Sequence, residues 1–336
     1  MDDKKMYHEV NKNHEKVFPT TWYAVAWSKE LEKSPIKRTL LGKDLVLYRN
    51  LAGKVSAVHA YCPHRGADLS LGTCRDGQLV CPYHAWRFDT DGRCIEIPAH
   101  PNRPIPAFAH TFTYPVTERA GLLWVYPKAN DKCNADAIPE LQIFPELEDP
   151  QYIAAPYGAI WRAHLTRVIE SVIDVAHVPI VHRLTIGKKL KEEIQITFEA
   201  DGDHIHVKNG NGLLHYQFPQ NWILTIPKQT RNKIYNYVTF TPIDENMTAI
   251  FGLAGRNFGK SVLGMNTIFS RYSAKVLEED RIIVESQHPR PIPEALRMEA
   301  HVPADGPQVR FRQRWYDFLT GDEQKIRLND RIRSDS

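Results

Sequence analysis

Short alternating or apolar runs, separated by turn-forming residues, fill the first third of the chain. LVLYRN and KVSAVHAY flank Leu51-Ala52-Gly53, and AWRFD precedes Thr90-Asp91-Gly92 and RCIEIP. This punctuation predicts a small antiparallel β domain from Trp22 to about Tyr126. Pro127 to Pro150 is polar and carries four prolines, the pattern of a linker or surface crossover. WRAHLTRVIESVIDVAHVPIVHR then reads as helical, and the region from about Ile194 to Leu253 as strands. Its hairpin cues are Asp201-Gly202-Asp203 and Asn209-Gly210-Asn211-Gly212. Apolar residues at helical intervals predict a late helix over about Gly264 to Glu285. The resulting class is α+β, with an antiparallel β domain followed by an antiparallel sheet packed by helices. The expected divisions are a flexible lead-in at 1–18, a first domain at 19–130 and a second at 131–336.

Composition narrows the function classes. At 336 residues, 42% hydrophobic and 25% charged, the chain is long enough to bury a sizeable core. A net charge of +3 without a block of Arg and Lys argues against nucleic acid. No apolar run reaches the roughly 18–20 residues of a membrane helix. MDDKKMYHEVNKNHEK at the start lacks the apolar stretch of a secretory signal, and the expected location is cytoplasmic. Cys62, Cys74, Cys81, Cys94 and Cys133 are an odd number, which points to metal ligation or free thiols rather than a secreted disulfide scaffold.

Two constellations carry chemistry. Cys62-Pro63-His64 and Cys81-Pro82-Tyr83-His84 each offer one thiolate and one imidazole, sixteen residues apart. A [2Fe–2S] cluster held by two Cys on one iron and two His on the other needs that set. A Cys2His2 zinc site usually brings its His pair together after both Cys, whereas Cys and His alternate here. Farther on, Glu170, Asp174 and His177 fall at i, i+4 and i+7 of a continuous helix. His182 would point away from them, and a kink at Pro179 would swing it back. Two imidazoles and one carboxylate make the facial triad of oxygen-activating Fe(II). The carboxylate must come from elsewhere, and Glu278-Glu279-Asp280 on the late helix offers candidates that otherwise read as a solvated face.

CPHRGADLSLG and CPYHAWRFDTDGRC resemble the Rieske motif of ring-hydroxylating oxygenases. In respiratory Rieske proteins a disulfide links the two loops, at positions that here hold Ala67 and Tyr83. The resemblance is therefore to the unbridged oxygenase type, with Cys74, Cys94 and Cys133 as free thiols. The family pattern Asp-x-x-His-x4-His matches Asp174, His177 and His182. Its third ligand, an Asp in a late helix like LEEDRIIVES, implies Asp280, with Glu279 as the substitute. Many members have Asn at the position of Ser171. His164 reads as a packing or surface histidine.

The resemblance further implies a catalytic domain of helix-grip, START-like form and a head-to-tail homotrimer, in which Asp174 bridges His177 to His84 of the neighbouring subunit. Electrons from NAD(P)H would arrive through a separate reductase or ferredoxin, near the edge formed by His64 and His84. The cofactors implied are a Rieske [2Fe–2S] cluster at Cys62, His64, Cys81 and His84 and a mononuclear Fe(II) at His177, His182 and Asp280. GLLWVYP and FTPIDENMT favour the short, α-only group of vanillate O-demethylase and dicamba monooxygenase. The implied activity is hydroxylation or oxidative demethylation of a small aromatic, polycyclic or alkaloid-like substrate. Cis-dihydroxylation is the alternative, followed by a non-catalytic electron carrier. Trp222, Ile223, Tyr237, Phe240, Met247 and Phe251 are candidates for the pocket, each with core packing as the plain alternative. Arg183 is a candidate for meeting an anionic substrate.

Overall fold

The computed structural model describes residues 18–32, 34–130, 138–193, 195–209, 212–226 and 231–321. Cys133 and the lead-in before residue 18 lie outside the described residues. The chain divides into two compact units, Thr20–Gln142 and a second one made of the chain before Thr20 together with the chain from Ile143 onward.

The first unit holds three antiparallel sheets. Its strands are β1 (Tyr23–Trp27), β2 (Ile36–Leu40), β3 (Lys43–Arg49), β4 (Val55–His59), β5 (Thr73–Arg75), β6 (Gln78–Val80), β7 (Arg87–Phe88), β8 (Cys94–Glu96), β9 (Thr113–Tyr114), β10 (Val116–Arg119) and β11 (Leu122–Val125). The sheet orders are β1-β11-β10, β2-β3-β4-β9 and β5-β6-β7-β8. β3 explains how the unit is layered. Leu45 and Leu47 enter one buried cluster with Tyr23 and Leu123. Val46 and Tyr48 enter another with Cys62, Cys81, Trp86 and Phe88. Successive side chains point to opposite faces, so one strand is covered on both sides, and its second face is the floor under the two thiols. The turn between β5 and β6 is Asp76-Gly77, with φ of 52° and 76°; both left-handed positions suit a two-residue hairpin.

The second unit is built on one seven-stranded antiparallel sheet. Its strands are β12 (Ile153–Trp161), β13 (Thr197–Asp201), β14 (His204–Asn209), β15 (Gly212–Gln217), β16 (Asn221–Thr225), β17 (Ile234–Pro242) and β18 (Thr248–Arg256), in the order β12-β18-β17-β16-β15-β14-β13. The helices are α1 (Leu165–Ile173), α2 (Val178–Val181), α3 (Met265–Val284) and α4 (Gly306–Thr320). α3 lies along β12, tied by Ser270 Oγ donating to Pro156 O at 2.7 Å, and α1 packs on β17. No helix among the described residues is long and apolar enough to cross a membrane.

The sheet's register corrects one expectation. Tyr216 meets Phe311 of α4, which marks the helix-bearing face. Trp222 pairs with Tyr216 and Phe240 follows Val238 by two, so both share that face. Ile223, Tyr237 and Phe251 belong to the opposite face, where Phe144 covers Tyr237. Met247 sits in the turn between β17 and β18. Of the six pocket candidates, only Trp222 and Phe240 lie in the sheet facing the helices. Arg183 is exposed.

The helix read from Trp161 to Arg183 is also corrected. His164 caps α1, its Nδ1 accepting from Thr166 N at 3.2 Å. It is buried against Phe18, so its role is packing and capping. Burial, together with nearby Arg167, lowers its pKa to about 4. α1 stops at Ile173, because Asp174 adopts an extended backbone and its Oδ1 accepts from Ala176 N at 2.7 Å. A short carboxylate bonding its own downstream backbone competes with helix continuation. Pro179 is therefore not the breaking point. It sits in the first turn of α2, where its missing N–H costs nothing.

Candidate metal centres

In the first unit the two Cys/His loops are built alike. Cys62 N donates to Ala67 O and Cys81 N to Trp86 O, both at 2.9 Å. Gly66 N returns to Cys62 O at 2.9 Å, and Ala85 N to Cys81 O at 3.1 Å. The residue four past each Cys is left-handed, Gly66 at φ 68° and Ala85 at φ 55°. These matching turns put both thiols inside and both imidazoles at the rim. Cys62 and Cys81 are buried side by side, and the His64 and His84 rings lie 4.6 Å apart. His64 stacks on Trp86, while Tyr83 leans on the exposed His84.

The donor set fits a Rieske cluster. The backbone N–H groups of His64 and Arg65 favour the thiolate form of Cys62, a way of holding thiolate charge. Burial and the neighbouring Cys81 push the Cys62 thiol up to about 12, so the thiolate needs a cation. Buried His64 Nδ1 has no hydrogen-bond partner, which suits a ligand atom. Cys74 and Cys94 are free thiols as well.

In the second unit α2 brings together the two histidines. His177 is its N-cap and His182 its C-cap, so one helical turn sets both rings on the same side. Their Nε2 atoms are 3.2 Å apart. Asp280 Oδ1, from α3, lies 3.3 Å from His177 Nε2 and 3.0 Å from His182 Nε2. Three ligands on one face of an octahedron about a small divalent metal are separated by about 3 Å. The triangle of donors has that size, and its chemistry is that of non-haem Fe(II).

The surrounding groups orient these rings. Glu279, the alternative carboxylate, does not join the triangle. It lies on the far side of His182, where Nδ1–H donates to Oε2 at 2.9 Å, and the same oxygen receives Thr185 Oγ1 at 2.6 Å. This fixes the tautomer that leaves His182 Nε2 free. Asp174 Oδ2 stands 3.7 Å from His177 Nδ1, on the side away from Asp280. Burial opposes the imidazolium form of His177, but Asp174 and Asp280 outweigh it and raise its pKa to about 9. Asp280 is held below the usual carboxylate range by the two imidazoles, against the effect of its burial. A site that attracts protons this strongly also attracts a divalent cation. Spacing along the chain gave no signal for Glu279 or Thr185 as supports.

A cavity of about 240 Å³ reaches this centre, lined by Ser171, Asp174, His177, Asp280, Glu299 and Arg312 among others. Its wall is an ion network. Arg167 Nη2 meets Glu299 at 2.7 Å, Arg312 Nη2 meets Glu299 at 2.6 Å, and both arginines pair with Glu170. Glu170 thus serves this network rather than the metal triangle. Ser171 Oγ turns back to Val168 O at 2.8 Å.

Comparison with known proteins agrees with both centres. Residues 21–115 match the Rieske [2Fe-2S] domain, and residues 210–318 match the vanillate O-demethylase oxygenase C-terminal domain. The oxygenase component of dicamba O-demethylase from Stenotrophomonas maltophilia is 29% identical over 343 residues, covering 93% of this chain and 95% of the relative. A vanillate O-demethylase oxygenase subunit from a Pseudomonas species is 31% identical over 192 residues, covering 56% of this chain and 52% of the relative. Among solved structures, NdmA of Pseudomonas putida CBB5 superposes with a TM-score of 0.79, at 24% identity and 93% coverage of both chains. That last likeness is one of fold.

Proposed function

Since this chain belongs to the Rieske-type non-haem iron oxygenases, in the short group without β subunits, we propose that it hydroxylates or oxidatively demethylates a small aromatic, polycyclic or alkaloid-like compound. One observation carries the reading. A single chain holds both the buried Cys/His loops and the His177–His182–Asp280 triangle. Relatives named as demethylases of dicamba and vanillate support demethylation.

Cys62, His64, Cys81 and His84 are assigned to the cluster, and His177, His182 and Asp280 to the iron. The cluster ligands lie in the unit Thr20–Gln142, and the iron ligands in the unit that continues from Ile143. When bound, the two groups supply electron storage and oxygen activation. The chain's own contribution is positional. Glu279 and Thr185 hold the His182 ring, and the four-residue α2 fixes the separation of the two imidazoles. The indole of Trp222 is buried, with Nε1 lacking a partner, a donor that a substrate's acceptor could satisfy. Asp174 is assigned as a bridge between His177 and His84 of the partner subunit in a head-to-tail homotrimer. A partly exposed carboxylate, 3.7 Å from His177 Nδ1, supports that role. The donor is a reductase or ferredoxin fed by NAD(P)H, which favours a cytoplasmic setting.

The test is product analysis under ¹⁸O₂ with a reductase, NADH and a panel of methoxylated and N-methylated aromatics. Loss of a methyl group or gain of one hydroxyl supports the reading. A cis-diol carrying two labelled atoms would favour dihydroxylation instead.

A further inference from the structure

A second cluster of histidines, with carboxylates beside it, lies on the sheet face opposite the helices. His204 and His206 alternate along β14, so they share a face. His206 pairs directly with His215 of β15 and with Glu199 of β13, while His204 pairs with Asp201. Directly paired residues have Cβ atoms about 4.5–5.5 Å apart on one face. Three imidazoles and two exposed carboxylates therefore share one face of three adjacent strands.

We propose that His204, His206 and His215, completed by Glu199, form a binding site for a zinc-class divalent cation, distinct from the iron triangle. His204 Nδ1 and His215 Nε2 are 2.9 Å apart, with ring centroids separated by 5.1 Å. The His177–His182 pair has the same 5.1 Å centroid separation and 3.2 Å between nitrogens. Zinc held at about 2.0–2.1 Å by tetrahedral imidazoles sets donor nitrogens about 3.3 Å apart and ring centroids about 5 Å apart. His206 stacks on His215 at 4.1 Å and lies 6.4 Å from His204. A turn about its soft terminal torsion converts stacking into convergence.

The environment favours ligation over protonation. His204 Nδ1 and His215 Nε2 already share one proton in a hydrogen bond, the place a cation would take between the two rings. A metal is shared by all three rings, whereas protons on them repel one another. Nitrogen and carboxylate donors in this number match zinc. Bound there, the cation would clip β13, the edge strand of the sheet, to β14 and β15.

The experiment titrates iron-replete holoenzyme with Zn²⁺ against a chromophoric chelator, following zinc, iron and thermal stability. The expected result is one zinc per chain with iron content unchanged and a raised Tm. His206→Gln and His215→Gln should each weaken binding by on the order of tenfold or more, with turnover in zinc-free buffer unaffected. Should His215→Gln fail to fold, as judged by cluster absorbance, His204→Gln takes its place. No zinc uptake by the unmodified chain, equal uptake by the variants, or uptake matched by loss of iron would each overturn the site. None of these outcomes depends on which substrate is oxidised.

Discussion

The Nε2 atoms of His177 and His182 lie 3.2 Å apart, although five residues separate them. On a continuous helix, residues five apart point about 140° away from each other. The contact exists because α1 ends at Ile173 and a new four-residue helix begins between the two rings. Asp174 creates that break by capturing Ala176 N, and the same carboxylate faces His177 Nδ1. One side chain thus shapes the backbone and completes the surroundings of the ligand.

Glu279→Gln tests the support of His182. The amide can present its NH₂ group to Nδ1–H, which removes the acceptor that fixes the ring's tautomer. Losses of about 10–100-fold in metal affinity follow from such changes. Iron retained during dialysis against a chelator should fall accordingly, with cluster absorbance intact. Retention equal to the unmodified protein would remove Glu279 from this role.

Asp174→Asn keeps an oxygen for Ala176 N, so the break after α1 should survive. Both metals should then load normally, while turnover driven by the reductase falls by about 100-fold. Full turnover would refute the bridging role, and loss of mononuclear iron would recast Asp174 as a ligand support.

Glu299 gives a pH signature. Its hydrogen bonds with Arg167, helped by Arg312, lower its pKa from 4.5 to about 2. The folded state binds its proton less readily than the unfolded chain. Its contribution is therefore complete above pH 4.5 and is lost as pH falls from there toward 2. Glu299 is partly exposed, so solvent keeps the effect modest. Glu299→Gln should lower Tm by about 2–4 °C at pH 7, a gap that narrows below pH 4.5. A gap independent of pH would contradict this account.

Gly66→Ala places a Cβ at φ 68°, in the left-handed region. The substitution should cost about 1 kcal/mol and lower the temperature at which cluster absorbance bleaches. Ala85→Gly, at the matching place in the second loop, should shift that temperature far less or raise it. Bleaching at unchanged temperature in Gly66→Ala would show that the first loop adapts.

The cluster loops were legible because Cys62-Pro63-His64 and Cys81-Pro82-Tyr83-His84 carry their chemistry within a few residues. The strand region was legible from its turn residues, with β13 and β14 meeting at Gly202-Asp203. The break after Ile173 was not, since Asp174 fits a helix pattern until its side chain bonds Ala176 N. Trp222 and Phe240 part from Ile223, Tyr237 and Phe251 only through the register of β15 to β18, which no local pattern encodes. The ion network was hidden because Arg167 and Arg312 meet Glu299 and Glu170 across 132 and 142 residues. Likewise, His215 joins His204 and His206 only once β14 and β15 are paired.

Metal and labile-sulfide analysis of fully loaded protein tests the two-centre account most directly. A Rieske cluster with one mononuclear iron predicts about three irons and two sulfides per chain, with the electronic spectrum of a His-ligated cluster. Asp280→Asn should remove about one iron and spare the sulfide. Two irons in the fully loaded chain, or zinc alone, would contradict it.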